Sequence, residues 1–570
     1  MLPLDHFSSL GDALAEAVIR HKSETLFAEV DRRRRARAWT GADFGRRAIG
    51  WCSRLLNWGL SPGDRCAIIA SNRPDWSVAA IGALWAGAVL VPLDYKLSAP
   101  ELCALIDHCG PRVLVAESAI LKRMLALRPE IVETMRVVAI DAAEVESQNV
   151  ASWEETEVVD TCVARPVPRQ RDDIATIVYS SGTAGTPKGC MLTHGNYLVQ
   201  AQTLGAMYPM HPGDAYFSVL PTNHAIDFMC GLLMPVLFGG TIVHQRSLRP
   251  AYFSWTIREM GITHMAVVPR LLTVLEERVR EELDRASPLQ RTIFDTLRDI
   301  NAQLTWREPN HRLSSTLLRP VHRAFGGRLR LLFCGGAFTP PASARFFYDL
   351  GIPVVIGYGL TEAGTVLTLN DLHPFREDTV GKPLDGVELE IRDGGADGIG
   401  EVWVRSETVM HGYLDAPDLT HQTIVDGWLR TGDLGRVDPA GHLQLVGRVR
   451  NMIVTKGGKN VYPEDVESLM GPVDGVDELS VFSSEFLWQA QRLGAESLLV
   501  VAKPSEDADD ASIERGLARA CRALPEHKRP NTWLRWDEPF PRTASLKVQR
   551  DALADAVRRT STPERTRAVS

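Results

Sequence analysis

No two of the nine cysteines, at 52, 66, 103, 109, 162, 190, 230, 334 and 521, form a CxxC pair, and no His–Cys cluster has metal-ligand spacing. An odd, scattered set of this kind argues against a disulfide framework and reads as buried thiols in a reducing compartment. A basic-then-apolar leader is missing from the start, MLPLDHFSSLGDALAEAVIRHKS. The longest apolar stretch, 79-AAIGALWAGAVLVPL-93, is too short and too glycine-rich to span a bilayer. The expectation is a cytoplasmic protein with no transmembrane segment, peripheral contact with a membrane being left open. Excess positive charge is missing too. With 63 basic residues against 71 acidic ones, the formal charge is −8 and no broad basic field exists to condense on a phosphate backbone, so nucleic acid is not expected as a partner. The basic run 32-RRRR-35, beside Asp31 and Trp39, is expected at the solvated edge of a hairpin.

What is present is a chain of 570 residues, 45% apolar and 24% charged, which is too long for one hydrophobic core. Short β-branched runs, 66-CAIIA-70, 112-RVLVA-116, 174-IATIVY-179 and 354-VVIGY-358, alternate with amphipathic helical stretches. That pattern predicts an α/β fold with mainly parallel sheet. Beyond residue 390 the texture changes to strands with turn punctuation, as in 400-GEVWVRS-406 and 439-PAGHLQLVGR-448. A charged, glycine-bearing connection then precedes Pro463, which opens a helix. The expected division is a large N-terminal unit of several subdomains over 1–448, a small α+β domain over 449–555, and a disordered tail over 556–570.

Between residues 271 and 304 the periodicity is helical. Leu271, Leu275, Val279 and Leu283 recur every four residues, and Ser287-Pro288 restarts a helix with Leu289, Ile293, Leu297, Ile300 and Leu304 on its apolar side. The preferred reading is a surface helix pair packed on its own sheet, the alternative a docking face for a membrane or a second subunit.

The run 179-YSSGTAGTPKG-189 follows the strand-like 174-IATIV-178. Its glycines at 182, 185 and 189 can turn amides inward, the hydroxyls of Ser180, Ser181, Thr183 and Thr186 add donors, and Lys188 adds a compact charge. Such a concavity suits a polyphosphate. It is not a Walker A loop, because Pro187 precedes the lysine and Gly189 follows it.

This run resembles the phosphate loop of the adenylate-forming enzymes, the superfamily of acyl-CoA synthetases, peptide-synthetase adenylation domains and firefly luciferase. Further signatures follow in the family's order: 218-SVLPTNHAIDF-228, 335-GGA-337, 357-GYGLTE-362, 379-TVGKPLDGVELEI-391, 400-GEVWVRSETVMHGY-413, 428-WLRTGDLG-435, 447-GRVRNMIVTKGGKNVYPEDVE-467 and 541-PRTASLKVQR-550. The resemblance implies two half-reactions. A carboxylate attacks the α-phosphorus of ATP to give acyl-AMP and pyrophosphate, then a thiol, that of CoA, attacks the acyl carbon and AMP leaves.

The resemblance also implies a role for each matching residue. The loop Ser180, Ser181, Gly182, Thr183, Gly185, Thr186 and Lys188 would hold the β and γ phosphates. Thr361 would touch phosphate and Glu362 would bind Mg²⁺. Gly335, Gly336, Ala337, Tyr358 and Gly359 would receive adenine, with the Tyr358 ring stacking on it. Asp433 and Arg448 would hold the ribose, and His224 would gate the acyl carbon. Lys547 would bridge the substrate carboxylate and the α-phosphate. Arg450 would be the hinge of a mobile C-terminal domain, bringing Gly457 and Gly458 beside the thiol channel.

The apolar flank 228-FMCGLLMPVLFGG-240, the helical insertion, and the absence of an evident acidic amino-acid anchor near His224 look like the long-chain fatty acid branch. The chain departs from the family at Ala184, Leu546, Ser406, Thr222 and Asn223. Two alternatives stay open: a ligase loading the phosphopantetheine thiol of a carrier protein, and a noncatalytic adenylate-binding scaffold.

Overall fold

Arg65–Ile69, Val89–Pro92, Val113–Ala116 and Arg136–Ala139 are short runs buried on both faces, which is what parallel strands covered by helices require. In the computed structural model they lie side by side in parallel. The structure describes residues 2–141, 150–153, 165–180, 188–247, 249–454, 460–488, 498–506, 508–543 and 548–569. These four strands belong to an eight-stranded sheet whose other side carries Ile174–Ser180, Lys188–Thr193 and Gly412–Tyr413. Ile174–Ser180 and Lys188–Thr193 form an antiparallel hairpin with Ser180 opposite Lys188. Thr193 then caps the helix His194–Met207, accepting from Asn196 N in a capping box.

A second, nine-stranded sheet has six adjacent parallel strands: Val354–Tyr358, Leu331–Cys334, His264–Val267, Ala215–Phe217, Thr241–Gln245 and Thr25–Val30. Thr25–Val30 turns back into Ala36–Thr40, so the run 32-RRRR-35 does lie at a hairpin, held by Asp31 accepting from Arg33 N and Arg35 N. One core is shared by both sheets. Within it the helix Pro74–Trp85 is buried at every position but Asp75. The apolar stretch at 79–93 is therefore interior: the end of this helix followed by the strand Val89–Pro92. Among the described residues no helix is long and apolar enough to cross a membrane. Glu388–Arg392, Gly400–Arg405, Trp428–Val437, Ile424–Val425 and Leu443–Arg448 build an antiparallel five-stranded sheet.

Beyond residue 460 the chain builds cores of its own. Leu498, Val500, Ala502 and Trp533 face one way from a four-stranded sheet, while Leu499, Val501 and Leu534 face the other, the period-two alternation of a sheet covered on both sides. The tail expected to be disordered is ordered here. The helix Arg550–Thr560 buries Leu553, Ala554 and Val557, and Arg567–Ala568 pairs with Thr532–Trp533 as the fourth strand. Arg567 supplies what the composition did not reveal, since its guanidinium lies 5.5 Å from the Trp533 ring centre and 2.5 Å from Asp510.

The helical periodicity at 271–304 is realised as Pro269–Asp284 and Pro288–Thr305, the second capped by Ser287. Their burial differs. Leu272, Leu275 and Val279 are buried, whereas Leu289, Ile293, Ile300 and Leu304 of the second helix are exposed. Its inner side packs Phe294 and Leu297 on the core, beside Asn301 Nδ2 donating to Asp349 O at 2.9 Å and Tyr348 OH donating to Thr305 O at 3.1 Å.

Removing residues 563–570 should lower unfolding free energy by about 1–3 kcal/mol, because it strips the edge strand and uncovers Trp533. Urea unfolding of the truncated chain checks this, and an unchanged midpoint would show that the strand adds nothing.

Candidate active site

Phe217, Cys334 and Tyr358 end strands of the six-strand parallel stack at the same edge, so the loops that follow them emerge together. The carboxyl edge of such a sheet is where α/β proteins place their ligands. Here the loops interlock. A Cβ on Gly335 would stand 3.1 Å from Gly357 O and 3.5 Å from Ile226 Cδ1. Gly336 has φ +82°, which suits glycine, and Ala337 is exposed beside it. At Gly359 a Cβ would lie 1.8 Å from Thr365 O, so only glycine fits there. Thr365 Oγ1 in turn donates to Ala225 O at 3.3 Å, tying this loop to the one that carries His224.

Tyr358 is buried, and its hydroxyl donates to Asp433 Oδ2 at 2.8 Å. Arg448 stands directly across the strand pair from Asp433, with Nε 2.9 Å from Oδ1. One buried carboxylate thus takes a hydroxyl on one oxygen and a guanidinium on the other, and burial together with that charge holds the Tyr358 phenol well above its ordinary range. The Asp433 carboxylate holds Arg448 more firmly protonated, with smaller help from Tyr358 and Glu362.

Glu362 sits in the short turn Thr361–Ala363, with Thr361 half-buried at its start. Ser180 Oγ and Tyr413 OH both donate to Glu362 Oε1, at 3.2 and 3.0 Å. Lys188 Nζ lies 5.3 Å from the Tyr413 ring centre. The strand carrying Tyr413 is stitched between these groups: Gly412–Tyr413 pairs with Met191 and Cys190, and Met410 N donates to Glu362 O at 2.9 Å. Sequence reading named Ser180, Lys188 and Glu362 but missed Tyr413. Its signal was an aromatic with a polar tip closing the quoted run 400–413. Both hydroxyls converge on Oε1, and among the described residues Oε2 takes no hydrogen bond, so the carboxylate can serve a hard cation. Mg²⁺ asks for one or two carboxylates plus phosphate oxygens, and Glu362 fits that demand. Ser181, Gly182, Thr183, Gly185, Thr186, Gly457, Gly458 and Lys547 lie outside the described residues, as do the departures Ala184 and Leu546.

His224 precedes the turn Ala225–Asp227, its Nε2 4.0 Å from Asp94 Oδ2. Burial lowers its pKa, partly opposed by Asp94. Three residues on, Asp227 is fully buried, an acid that sequence reading passed over although it interrupts an apolar run. It accepts from Ser218 Oγ at 2.7 Å, Thr222 Oγ1 at 3.1 Å and Tyr216 OH at 3.1 Å. Asn72, from the eight-stranded sheet's side, clamps the same loop by accepting from Thr222 N at 2.9 Å and donating to Leu220 O at 2.6 Å. The departure at Thr222 thereby acquires a physical reason, as a hydroxyl for Asp227. The flank Phe228–Leu233 is a π-helical turn, buried throughout, and Met234–Phe238 continues it into the core. Arg450 lies in the turn Val449–Asn451, 3.5 Å from Asp551 of the C-terminal helix.

A family model described as AMP-binding enzyme matches residues 15–414. A long-chain-fatty-acid–CoA ligase of Gallus gallus is 29% identical over 70% of this chain, which spans 56% of that protein's length. The 3-[(3aS,4S,7aS)-7a-methyl-1,5-dioxo-octahydro-1H-inden-4-yl]propanoyl:CoA ligase of Mycobacterium tuberculosis is 28% identical over 91% of this chain and 94% of its own. Among solved structures, the anthranilate CoA ligase AuaEII in complex with anthranoyl-AMP superposes with a TM-score of 0.78 at 22% identity, covering 96% of this chain and 97% of that one. That likeness is one of fold.

Burial raises the Asp227 carboxyl to about 7, against the three hydroxyls that lower it. The folded chain then holds this proton more tightly than the unfolded one, so the contribution is greatest below pH ~4 and is lost as pH rises towards 7, by on the order of 4 kcal/mol. Asp227→Asn, which does not titrate, should lack that loss. Urea unfolding of both proteins at pH 5 and pH 8 isolates it, and parallel falls would remove the assignment.

Proposed function

The chain belongs to the AMP-binding enzyme family, and from that premise we propose that it is an AMP-forming acyl-CoA synthetase activating a long-chain fatty acid. What carries the reading is one short loop, from Tyr358 to Glu362, that joins two subsites: the Tyr358–Asp433–Arg448 group, and the cluster of Ser180, Lys188, Glu362 and Tyr413. A nucleoside binds at the first and a polyphosphate at the second. Tyr358 offers a ring to adenine beside Gly335, Gly336 and Gly359. The two Asp433 oxygens, now occupied by Tyr358 and Arg448, suit paired ribose hydroxyls.

A free carboxylate is a poor electrophile and a mixed anhydride with AMP is a good one. In the first half-reaction a carboxylate oxygen bonds to the α-phosphorus as the bond to pyrophosphate breaks. Lys188 and the Ser180 hydroxyl stand where charge accumulates on the leaving group. Glu362 would hold Mg²⁺, which would supply positive charge to the phosphates. In the second half-reaction the CoA thiol gives up its proton, its sulfur bonds to the acyl carbon, and AMP departs. His224, neutral at pH 7 and placed on the loop held by Asp227 and Asn72, borders the acyl side. Lys547 is assigned by resemblance to the first half-reaction, and Arg450 to the rotation that withdraws it.

The long-chain assignment is supported by the similarity to fatty acid ligases such as that of Gallus gallus. The Mycobacterium tuberculosis relative takes a bicyclic propanoate, so the test must include one. Carboxylates from C2 to C20 and a bicyclic propanoate are offered with ATP, following AMP release with and without CoA. Release dependent on both CoA and a long-chain acid is expected. Preference for the bicyclic acid would overturn the acyl assignment, and discharge only onto a carrier-protein thiol would overturn the acceptor. No acyl-AMP from any acid would overturn the whole reading.

Lys547→Ala should slow acyl-AMP formation on the order of 10²-fold or more, comparable to losing an oxyanion donor; near-normal pyrophosphate release would remove Lys547 from the mechanism. Tyr413→Phe keeps the ring under Lys188 and removes the hydroxyl from Glu362. Loss of a hydrogen bond to a charged group should weaken equilibrium binding of ATP with Mg²⁺ by about tenfold. Calorimetric titration reads this without turnover. Unchanged binding would leave Tyr413 a packing residue.

A further inference from the structure

The helix Pro288–Thr305 carries an apolar row that nothing covers among the described residues. Leu289, Ile293, Ile300 and Leu304 are 69%, 50%, 40% and 62% exposed, and Trp306, just past the helix end, is 52% exposed. Spacings of four, seven and four residues hold the first four within about 60° of one another around the helix, along about 22 Å of its length. The opposite flank holds Asn301 and Thr305 against the Pro341–Asp349 helix side, so the helix is anchored and the row turned outward is fixed. The helix carries no net charge, Arg291 and Arg298 standing against Asp295 and Asp299, and Arg298 lies 3.1 Å from Asp295 and 2.9 Å from Asp299.

Immediately after the row the charge changes sign. Between residues 307 and 330 there are six arginines and one acidic residue, Glu308, in a chain whose formal charge is −8. Arg328 and Arg330 are engaged by Gly213 O and Asp214. Arg307, Arg312, Arg319 and Arg323 are exposed and, among the described residues, form no ion pair. The Arg307 guanidinium lies 5.4 Å from the Trp306 ring centre, joining the end of the apolar row to the start of the basic island. An acidic protein approaching an anionic bilayer is repelled except at such an island. An apolar helix face ending in tryptophan and followed by unpaired arginines has the chemistry of an interfacial segment.

We propose that this surface, the outer row of Pro288–Thr305 with Arg307, Arg312, Arg319 and Arg323, docks the protein on an anionic lipid bilayer. The row enters the headgroup boundary and the arginines meet lipid phosphates, with no helix crossing the membrane. Charge complementarity favours lipid over a second copy of the chain, since a copy would bring the same arginines against one another at a two-fold interface. The inference rests on exposure and charge alone and is independent of the acyl substrate proposed above.

The test is flotation of the full-length protein with vesicles of phosphatidylcholine and of phosphatidylcholine with 30 mol% phosphatidylglycerol. Wild type should float with the anionic vesicles and bind neutral ones at least about tenfold more weakly, raised salt reducing the anionic binding. Two variants divide the contributions: L289Q/I293Q/L304Q, and R307S/R312S/R319S/R323S. Each should lose about tenfold or more in anionic-vesicle binding. Both should retain the wild-type urea midpoint and ATP–pyrophosphate exchange. A wild-type protein that stays with the soluble fraction would overturn the proposal, as would variants that bind like wild type. So would a concentration-dependent dimer that the leucine variant dissociates while vesicle binding is unchanged, which would make the face an interface between copies.

Discussion

A carboxylate withdrawn from water must be given donors, a countercharge or a proton. The carboxyl edge of the nine-stranded sheet holds three of them, each satisfied differently. Asp433 has a hydroxyl on one oxygen and a guanidinium on the other. Glu362 takes two hydroxyls on one oxygen, and its other oxygen has no partner among the described residues. Asp227 has three hydroxyls and no countercharge, and burial brings its pKa to about 7. The first joins the parallel and antiparallel sheets, the second ties its turn to the eight-stranded sheet, and the third, whose partners all lie within 11 residues of it, holds its own loop in place.

The same demand connects the sheets. Tyr358 comes from the parallel sheet and Asp433 and Arg448 from the antiparallel one, while Ser180, Lys188 and Tyr413 come from the eight-stranded sheet. Arg448 is the last residue of its strand, and the turn with Arg450 follows at once, reaching Asp551 of the C-terminal helix. Arg448, paired with Asp433, therefore lies two residues from Arg450, which contacts the C-terminal helix. The long apolar runs play a different part: the helix Pro74–Trp85 and the turn Phe228–Leu233 fill the space between the sheets.

Periodicity and environment part company at Pro288–Thr305. Four apolar residues at helical spacing are ordinarily a buried face, and in the preceding helix Leu272, Leu275 and Val279 are buried as that rule requires. In the second helix Phe294, Leu297, Asn301 and Thr305 take the inner side, the last two through polar bonds, and Leu289, Ile293, Ile300 and Leu304 turn outward. A hydrogen bond unmade in the interior costs more than an exposed leucine, so the arrangement is stable in water and leaves a surface with work to do.

The sequence by itself determined the fold class, the strand-like runs at 66–70, 112–116, 174–179 and 354–358 and the antiparallel texture past 390, and it singled out Tyr358, Asp433 and Arg448, and Ser180, Lys188 and Glu362, which the fold gathers into two clusters, with His224 on an adjoining loop. Those are written in local propensity, periodicity and motif order. Tertiary structure alone decided that Tyr413 and Asp227 take part, that the tail closes a sheet, and which side of Pro288–Thr305 faces out. Tyr413 meets Glu362 across 51 residues, Arg567 meets Asp510 across 57, and Asn301 meets Asp349 across 48. No local pattern encodes a partner that distant, because the pairing is chosen by which polar groups the folded core strands together and obliges to satisfy one another.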